Sequence, residues 1–238
     1  MDNLKKSFKS LKWYEIIMIV IMVIIAGMSI YEAIVHPESS SNPLWLTIIN
    51  FISAICGIIC VFFCAKASIS NFAFATVNTI VYAIFLYYQK IYGTFALEVL
   101  FYLPVNFISW YIWAKHRDKK YVEKTKSKRL TLTQNIITTL AIIIGGIGYH
   151  YILVKIGGNV AWLDAFTLSI GIIAVILEMF RYKEQYVWWI IQDVIAVAMY
   201  IMHFDPVYLT KKSIYLIMAV IGLINWTKLN KERNKTNE

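Results

Sequence analysis

The stretch 44–65, LWLTIINFISAICGIICVFFCA, carries no charged residue. A helix rises about 1.5 Å per residue, so a run of this length reaches across the roughly 30 Å of hydrocarbon in a bilayer. Similar runs lie on both sides of it, at about 14–35, 68–88, 93–114, 134–155, 162–181, 185–203 and 208–228. With 59% hydrophobic and only 16% charged residues, the chain cannot wrap itself around one aqueous core without leaving apolar surface in water. Its solvent is therefore read as lipid. None of the runs alternates with period two, and backbone amides in lipid must be satisfied within their own segment, so the expectation is eight membrane-spanning helices. The seventh, which holds Gln192 and Asp193, is the weakest by hydropathy.

Lys and Arg are retained on the cytoplasmic side of short loops. Of the 23 in the chain, 19 share one side if both termini are cytoplasmic. They fall in the tail 1–13, at Lys66, in 115–129, in 181–185 and from Lys228 onward. Lys90, Lys155, Lys211 and Lys212 are assigned to the opposite side. That asymmetry favours an even number of spans in a bacterial inner membrane. The formal net charge of +9 is then drawn to anionic lipid headgroups, and nucleic acid is not expected as a partner. The basic start before an apolar run of full spanning length reads as a retained first span rather than a cleaved leader, with 2–12 as a short amphipathic surface helix.

The polar connection 115–133 separates two similar sets of spans. Phe107-Ile-Ser-Trp110 lies over Leu223-Ile-Asn-Trp226 at the ends of spans four and eight, and Asn78 in span three falls opposite Asp193 in span seven at nearly the same offset. If spans 2–4 match spans 6–8, span five is a linking helix and the two triplets are parallel. Solute sites in such carriers lie between the repeats near the bilayer midplane. The expected division is 1–43 for the N-terminal tail and an accessory first helix, 44–115 for the first repeat, 116–158 for the basic loop and linker helix, and 159–238 for the second repeat and basic tail.

No metalloprotease, phosphate-binding or nucleophile-elbow motif is present, and His36, His116, His150 and His203 form no pair at ligand spacing. An enzyme is not expected, nor a metal or cofactor. Cys56, Cys60 and Cys64 repeat every four residues along one helix face, where they read as polarizable packing residues rather than as a disulfide.

An ionisable group at the centre of a membrane helix costs at least about 2.5–3.5 kcal/mol, so each needs a reason. Asp164 and Glu178 stand at opposite ends of span six, where they are expected to reach water or headgroups. Glu98, a third of the way into span four, suits packing and a solute path equally. Asp193 is different, because it sits near mid-membrane with Gln192 beside it and with Tyr186, Trp189 and Tyr200 on adjacent turns. Trp189 and Asp193 share a face. The matching stripe is Tyr102, Asn106 and Trp110 on span four, with Asn78 and Tyr82 one turn apart on span three. Headgroup preference accounts for Trp13, Trp45, Trp113, Trp162 and Trp226, but not for Asn78, Tyr82 or Asn106, which lie deeper. Carboxamide, carboxylate, phenol and indole groups together suit a flat, partly polar, cationic small molecule.

Lys66-Ala-Ser-Ile-Ser-Asn71, Val77-Asn78-Thr-Ile-Val-Tyr82 and Tyr102-Leu-Pro104 running into Phe107-Ile-Ser-Trp110-Tyr-Ile-Trp113 resemble the first half of the PnuC family of vitamin transporters. The second half is similar too, in Asp164-Ala, Tyr186-x-x-Trp189-x-x-x-Asp193, Tyr200, Tyr208-Leu-Thr210 and Tyr215 through Gly222 to Trp226. The resemblance covers roughly 50–229. It implies a 3+1+3 core like that of the sugar-exporting SWEET proteins, a homotrimer, and uptake of nicotinamide riboside by facilitated diffusion with trapping by intracellular phosphorylation. By the same resemblance, Asn106, Asn78 and Asp193 meet the carboxamide and ribose, while Trp189 and tyrosines including Tyr82, Tyr102, Tyr186 and Tyr215 bound the rings. Asn106 and Tyr186 depart from the family pattern of Gln and Trp. That leaves open a carrier of thiamine or another ring-bearing vitamin, and a proton-coupled one.

Overall fold

A computed structural model describes residue 9 and residues 11–37, 42–117, 124–155, 162–202 and 206–237. Most of the expected surface helix at 2–12, the middle of the basic loop, His203 and the side chain of Asp164 lie outside the described residues.

Among those residues the chain forms eight helices of spanning character, with the bent fourth counted as one. These are α1 (Trp13–Val35), α2 (Leu44–Ala65), α3 (Asn71–Tyr88), α4 (Tyr92–Lys115), α5 (Leu132–Lys155), α6 (Trp162–Met179), α7 (Gln185–Met202) and α8 (Pro206–Asn237). Seven of them contain a window long and apolar enough to cross a membrane, α7 included, and α6 contributes the shorter apolar segment Ala165–Met179. Large apolar side chains cover the outside: Leu100 is 76% exposed, Ile144 68% and Ile137 60%. Water would penalise such a surface, whereas acyl chains solvate it.

The helices pack mostly with chain neighbours: α2 on α3, α5 on α6 and α7 on α8. Two longer-range contacts, α8 on α2 and α4 on α6, close the bundle around a central space. The first helix packs on α2 and α8. It is pinned by an ion pair between Glu15, which is 1% exposed, and Lys66 at 2.5 Å, and Glu15 also accepts the Lys12 amide at 2.7 Å. Burial pulls the Lys66 ammonium below its ordinary pKa, against the opposing pull of Glu15.

Span four is not one regular helix. Residues Glu98–Tyr102 make a π turn, in which the Leu103 amide bonds back to the Glu98 carbonyl. The cause is Pro104, whose ring collides with a regular helical ladder and lacks the amide to continue it; one widened turn relieves the clash. The turn brings Glu98, Tyr102 and Asn106 to the inner side. The last helix also runs past the predicted end of span eight, to Asn237.

The turns after α2 and α6 are built alike. Ala67 (φ 56°) and Arg181 (φ 66°) take the left-handed conformation, rare for residues other than glycine. Each closes its helix with the same pair of bonds, Ser68 N to Phe63 O and Ala67 N to Cys64 O in one, Tyr182 N to Leu177 O and Arg181 N to Glu178 O in the other. The described part of the basic loop straps both turns together: the Thr125 amide donates to Ala67 O and the Lys128 amide to Arg181 O, while the Ser127 hydroxyl donates to Asn230 on α8. The described Lys and Arg residues around these turns, Lys66, Lys128 and Arg181 among them, thus meet at one end of the bundle.

Candidate functional site

Between the helices lies a cavity of about 450 Å³, within the range of small-molecule sites. It is reached by side chains of α2, α3, α4, α6, α7 and α8. Of the residues singled out in the sequence, Asn78, Tyr82, Tyr102, Asn106, Tyr186, Trp189, Asp193 and Tyr215 line it. Trp110 does not: it is 40% exposed on the outside of α4, and Ser109 takes the inward place. Four residues overshoot a full helical turn by about 40°, so a stripe stepped by four has rotated through about 80° after two steps.

The floor of the cavity is a crossing of indole and backbone. Trp113 of α4 donates its Nε1–H to the Glu178 carbonyl on α6 at 2.9 Å, and Trp226 of α8 donates to the Cys64 carbonyl on α2 at 3.0 Å. Both indoles are fully buried and tilt against one another at 5.4 Å. Phe72 meets Trp113 edge-on and Tyr186 meets Trp226 in the same way. The Tyr186 hydroxyl is committed as well, donating to Cys64 O at 2.9 Å. Glu178 does not reach headgroups as expected: its Oε1 faces the Cys64 thiol at 3.4 Å and accepts from Asn71 Nδ2 at 3.3 Å, within the cavity lining. Cys60 and Cys64 line the cavity too. All three cysteines are free thiols.

Halfway up, the walls differ. On α3, Asn78 accepts a hydrogen bond from Ser53 at 2.8 Å; on α4, Asn106 donates to Thr79 at 3.2 Å. On α7, Asp193 is 2% exposed and pairs with Lys212 of α8 at 3.1 Å. Trp189, one turn earlier on α7, lines the same wall. Gln192 also reaches the cavity, where its Oε1 is buried without a hydrogen-bond partner.

Toward the far end the lining becomes phenolic and charged. Tyr200 and Tyr208 stack at 5.4 Å. The Lys211 ammonium lies over the rings of Tyr82 (5.7 Å) and Tyr215 (5.8 Å), and that of Lys212 over Tyr215 (5.6 Å). Glu98 lines this region as well. Lys211 and Lys212, assigned by the charge count to the side opposite the basic tails, lie at the far end of the chamber from the basic end and line it. They sit more than a turn inside α8, which starts at Pro206. The signal was present, because two cations inside a predicted apolar span need a reason as much as Asp193 does. A separate groove of about 500 Å³ between α3 and α4 is lined almost wholly by apolar and aromatic side chains, among them Ile80, Tyr87 and Leu103, and offers little polar chemistry.

A polar, aromatic chamber enclosed by helices that turn apolar faces to lipid defines a helical membrane transporter. The chain belongs to the nicotinamide mononucleotide transporter family, whose profile matches residues 47–228. It is 30% identical over 222 residues to the nicotinamide riboside transporter PnuC of Neisseria mucosa, covering 90% of this chain and 81% of that one. To the Haemophilus influenzae protein of the same name it is 28% identical, with 98% of both chains covered. A solved structure, the crystal structure of the vitamin B3 transporter PnuC, superposes with a TM-score of 0.75 at 28% identity over 98% of both chains.

Proposed function

We propose that this chain takes up nicotinamide riboside by facilitated diffusion, binding it in the central cavity and exposing it to each side of the membrane in turn. The observation that carries the reading is the wall formed by Trp189 and Asp193, an indole face and a buried carboxylate one turn apart on a single cavity. A pyridinium ring carrying a ribose and a carboxamide matches those groups: the charge is attracted by the carboxylate and the π-faces, and the hydroxyls and amide by polar side chains. The names of the relatives point to the same solute.

In this reading Asn78, Asn106 and Asp193 meet the ribose and carboxamide, and Trp189, Tyr82, Tyr102 and Tyr215 bound the rings. Tyr186 serves from below, as its hydroxyl is already engaged. The helices α2–α4 and α6–α8 act as parallel triplets, α5 links them and α1 is accessory, as in SWEET proteins; the like turns at Ala67 and Arg181 and the reciprocal Trp113 and Trp226 bonds support this. Rocking of one triplet against the other gives alternating access. The basic end faces the cytoplasm, by the retention of Lys and Arg there. Trapping follows from phosphorylation inside the cell, and assembly as a homotrimer from family resemblance.

Isothermal titration of the purified protein tests the solute. Nicotinamide riboside is expected to bind. Nicotinamide mononucleotide is expected to be refused, because its phosphate is costly to bring out of water into a chamber whose cations Lys211 and Lys212 are already matched by the Asp193 and Glu98 carboxylates. Thiamine is expected to bind weakly or not at all. Tight binding of thiamine with none of nicotinamide riboside would overturn the assignment.

A further inference from the structure

Asp193 is paired within the protein itself. Lys212 lies 3.1 Å from its Oδ1, and the side chain of the lysine is 22% exposed where that of the aspartate is 3%. We infer that Lys212 is a displaceable counter-ion and a determinant of charge selectivity: it neutralises Asp193 in the empty chamber and yields that carboxylate to the cationic ring of the solute. This inference rests on the cationic nucleoside reading given above.

Three features favour displacement over a fixed strut. An unpaired carboxylate at this depth is costly, so the empty chamber needs a cation at Asp193, and a cationic solute supplies one of the same sign. The lysine also has somewhere to go. Its ammonium already lies over the Tyr215 ring at 5.6 Å, so releasing Asp193 leaves it on a π-face rather than bare in an apolar wall. Its flexible four-carbon stem permits that swing, as a guanidinium fork with bidentate geometry would not. Lys211, whose ammonium also lies over the Tyr215 ring, stands beside Lys212 at the far end of the chamber, with the Glu98 carboxylate in the same lining. An uncharged solute of the same shape gains nothing by breaking the pair and must bind beside it.

The test compares nicotinamide riboside with its uncharged dihydropyridine form in the wild type, Lys212→Met, Asp193→Asn and the double variant, by titration of each purified protein. Removing the competing ammonium is expected to tighten binding of the pyridinium form by about tenfold, with no gain for the dihydro form. Asp193→Asn is expected to abolish the preference for the charged form, and the double variant to bind both forms alike. Lys212→Gln, polar and uncharged, serves as a second variant. Unchanged or weaker binding of the pyridinium form by folded Lys212→Met or Lys212→Gln would overturn the inference. So would loss of folding in both, which identifies a static strut. A wild type that binds neither form would instead sink the nicotinamide riboside reading beneath it.

Discussion

The helices α2–α4 and α6–α8 are most alike at the basic end and least alike at mid-depth. At the floor each contributes a left-handed turn, a buried indole and a carbonyl that receives the other's indole. Halfway up, Asn78 is bonded to Ser53 on one side, while Asp193 is paired with Lys212 on the other. The shared part is scaffold: bonds from indole to backbone carbonyl hold two helix ends together whatever the solute. The part that differs is where the proposed function has the solute read, since an asymmetric molecule needs unlike walls.

The largest effects on binding are expected at mid-depth. Asp193→Ala and Trp189→Ala are each expected to weaken nicotinamide riboside binding by about a hundredfold or more, while thermal unfolding in detergent stays near wild type. Variants that aggregate instead would assign both residues to structure. On the opposite wall, Asn106→Ala removes a neutral hydrogen-bonding group and should cost roughly tenfold in the same titration.

At the floor, Trp113→Phe and Trp226→Phe should do the reverse. Each removes an indole donor and part of a buried ring, while the Glu178 and Cys64 carbonyls keep their Arg181 and Ala67 amide partners, and is expected to lower stability by about 1–3 kcal/mol, and by similar amounts, in a chemical or thermal unfolding assay. A large effect at one tryptophan and none at the other would show the floor to be one-sided. Two glycines refine the point. A Cβ at Gly222 would overlap the Tyr186 ring, and one at Gly57 would meet the Tyr215 hydroxyl. Gly222→Ala is therefore expected to destabilise by about 1–3 kcal/mol, whereas Gly57→Ala displaces Tyr215 of the cavity lining and should register in affinity before stability.

The smallest effect is expected away from both regions. Replacing Glu15 by Gln together with Lys66 by Met removes a buried pair without leaving either charge alone, so stability should change by only about 1 kcal/mol in either direction, with binding unaltered. A loss of binding would make α1 part of the site.

Much of this arrangement was legible in the sequence because lipid imposes simple rules. Eight apolar runs of spanning length could be read from the need to satisfy backbone amides, and Asp193 from the cost of a charge at mid-depth. Trp110 was misplaced because a four-residue step drifts around a helix, an error that grows with each turn. The π turn at Glu98–Tyr102 was not foreseen, although Pro104 inside a span signalled a local break. The charge rule assigned Lys211 and Lys212 to a side of the membrane but is silent on whether a lysine turns inward, as Lys212 does to meet Asp193. The floor was least legible: the Trp113 and Trp226 bonds join helices far apart in sequence, and headgroup preference explained both residues well enough to conceal their role.

In the proposed function the solute crosses the chamber by way of Asp193. Uptake of labelled nicotinamide riboside into liposomes holding the purified protein, with and without Asp193→Asn, tests it most directly. Entry is expected to stop when the concentrations inside and outside are equal, to be indifferent to a proton uncoupler, and to be lost in the variant. Flux that persists undiminished in a folded Asp193→Asn protein, or none in the wild type, would contradict it.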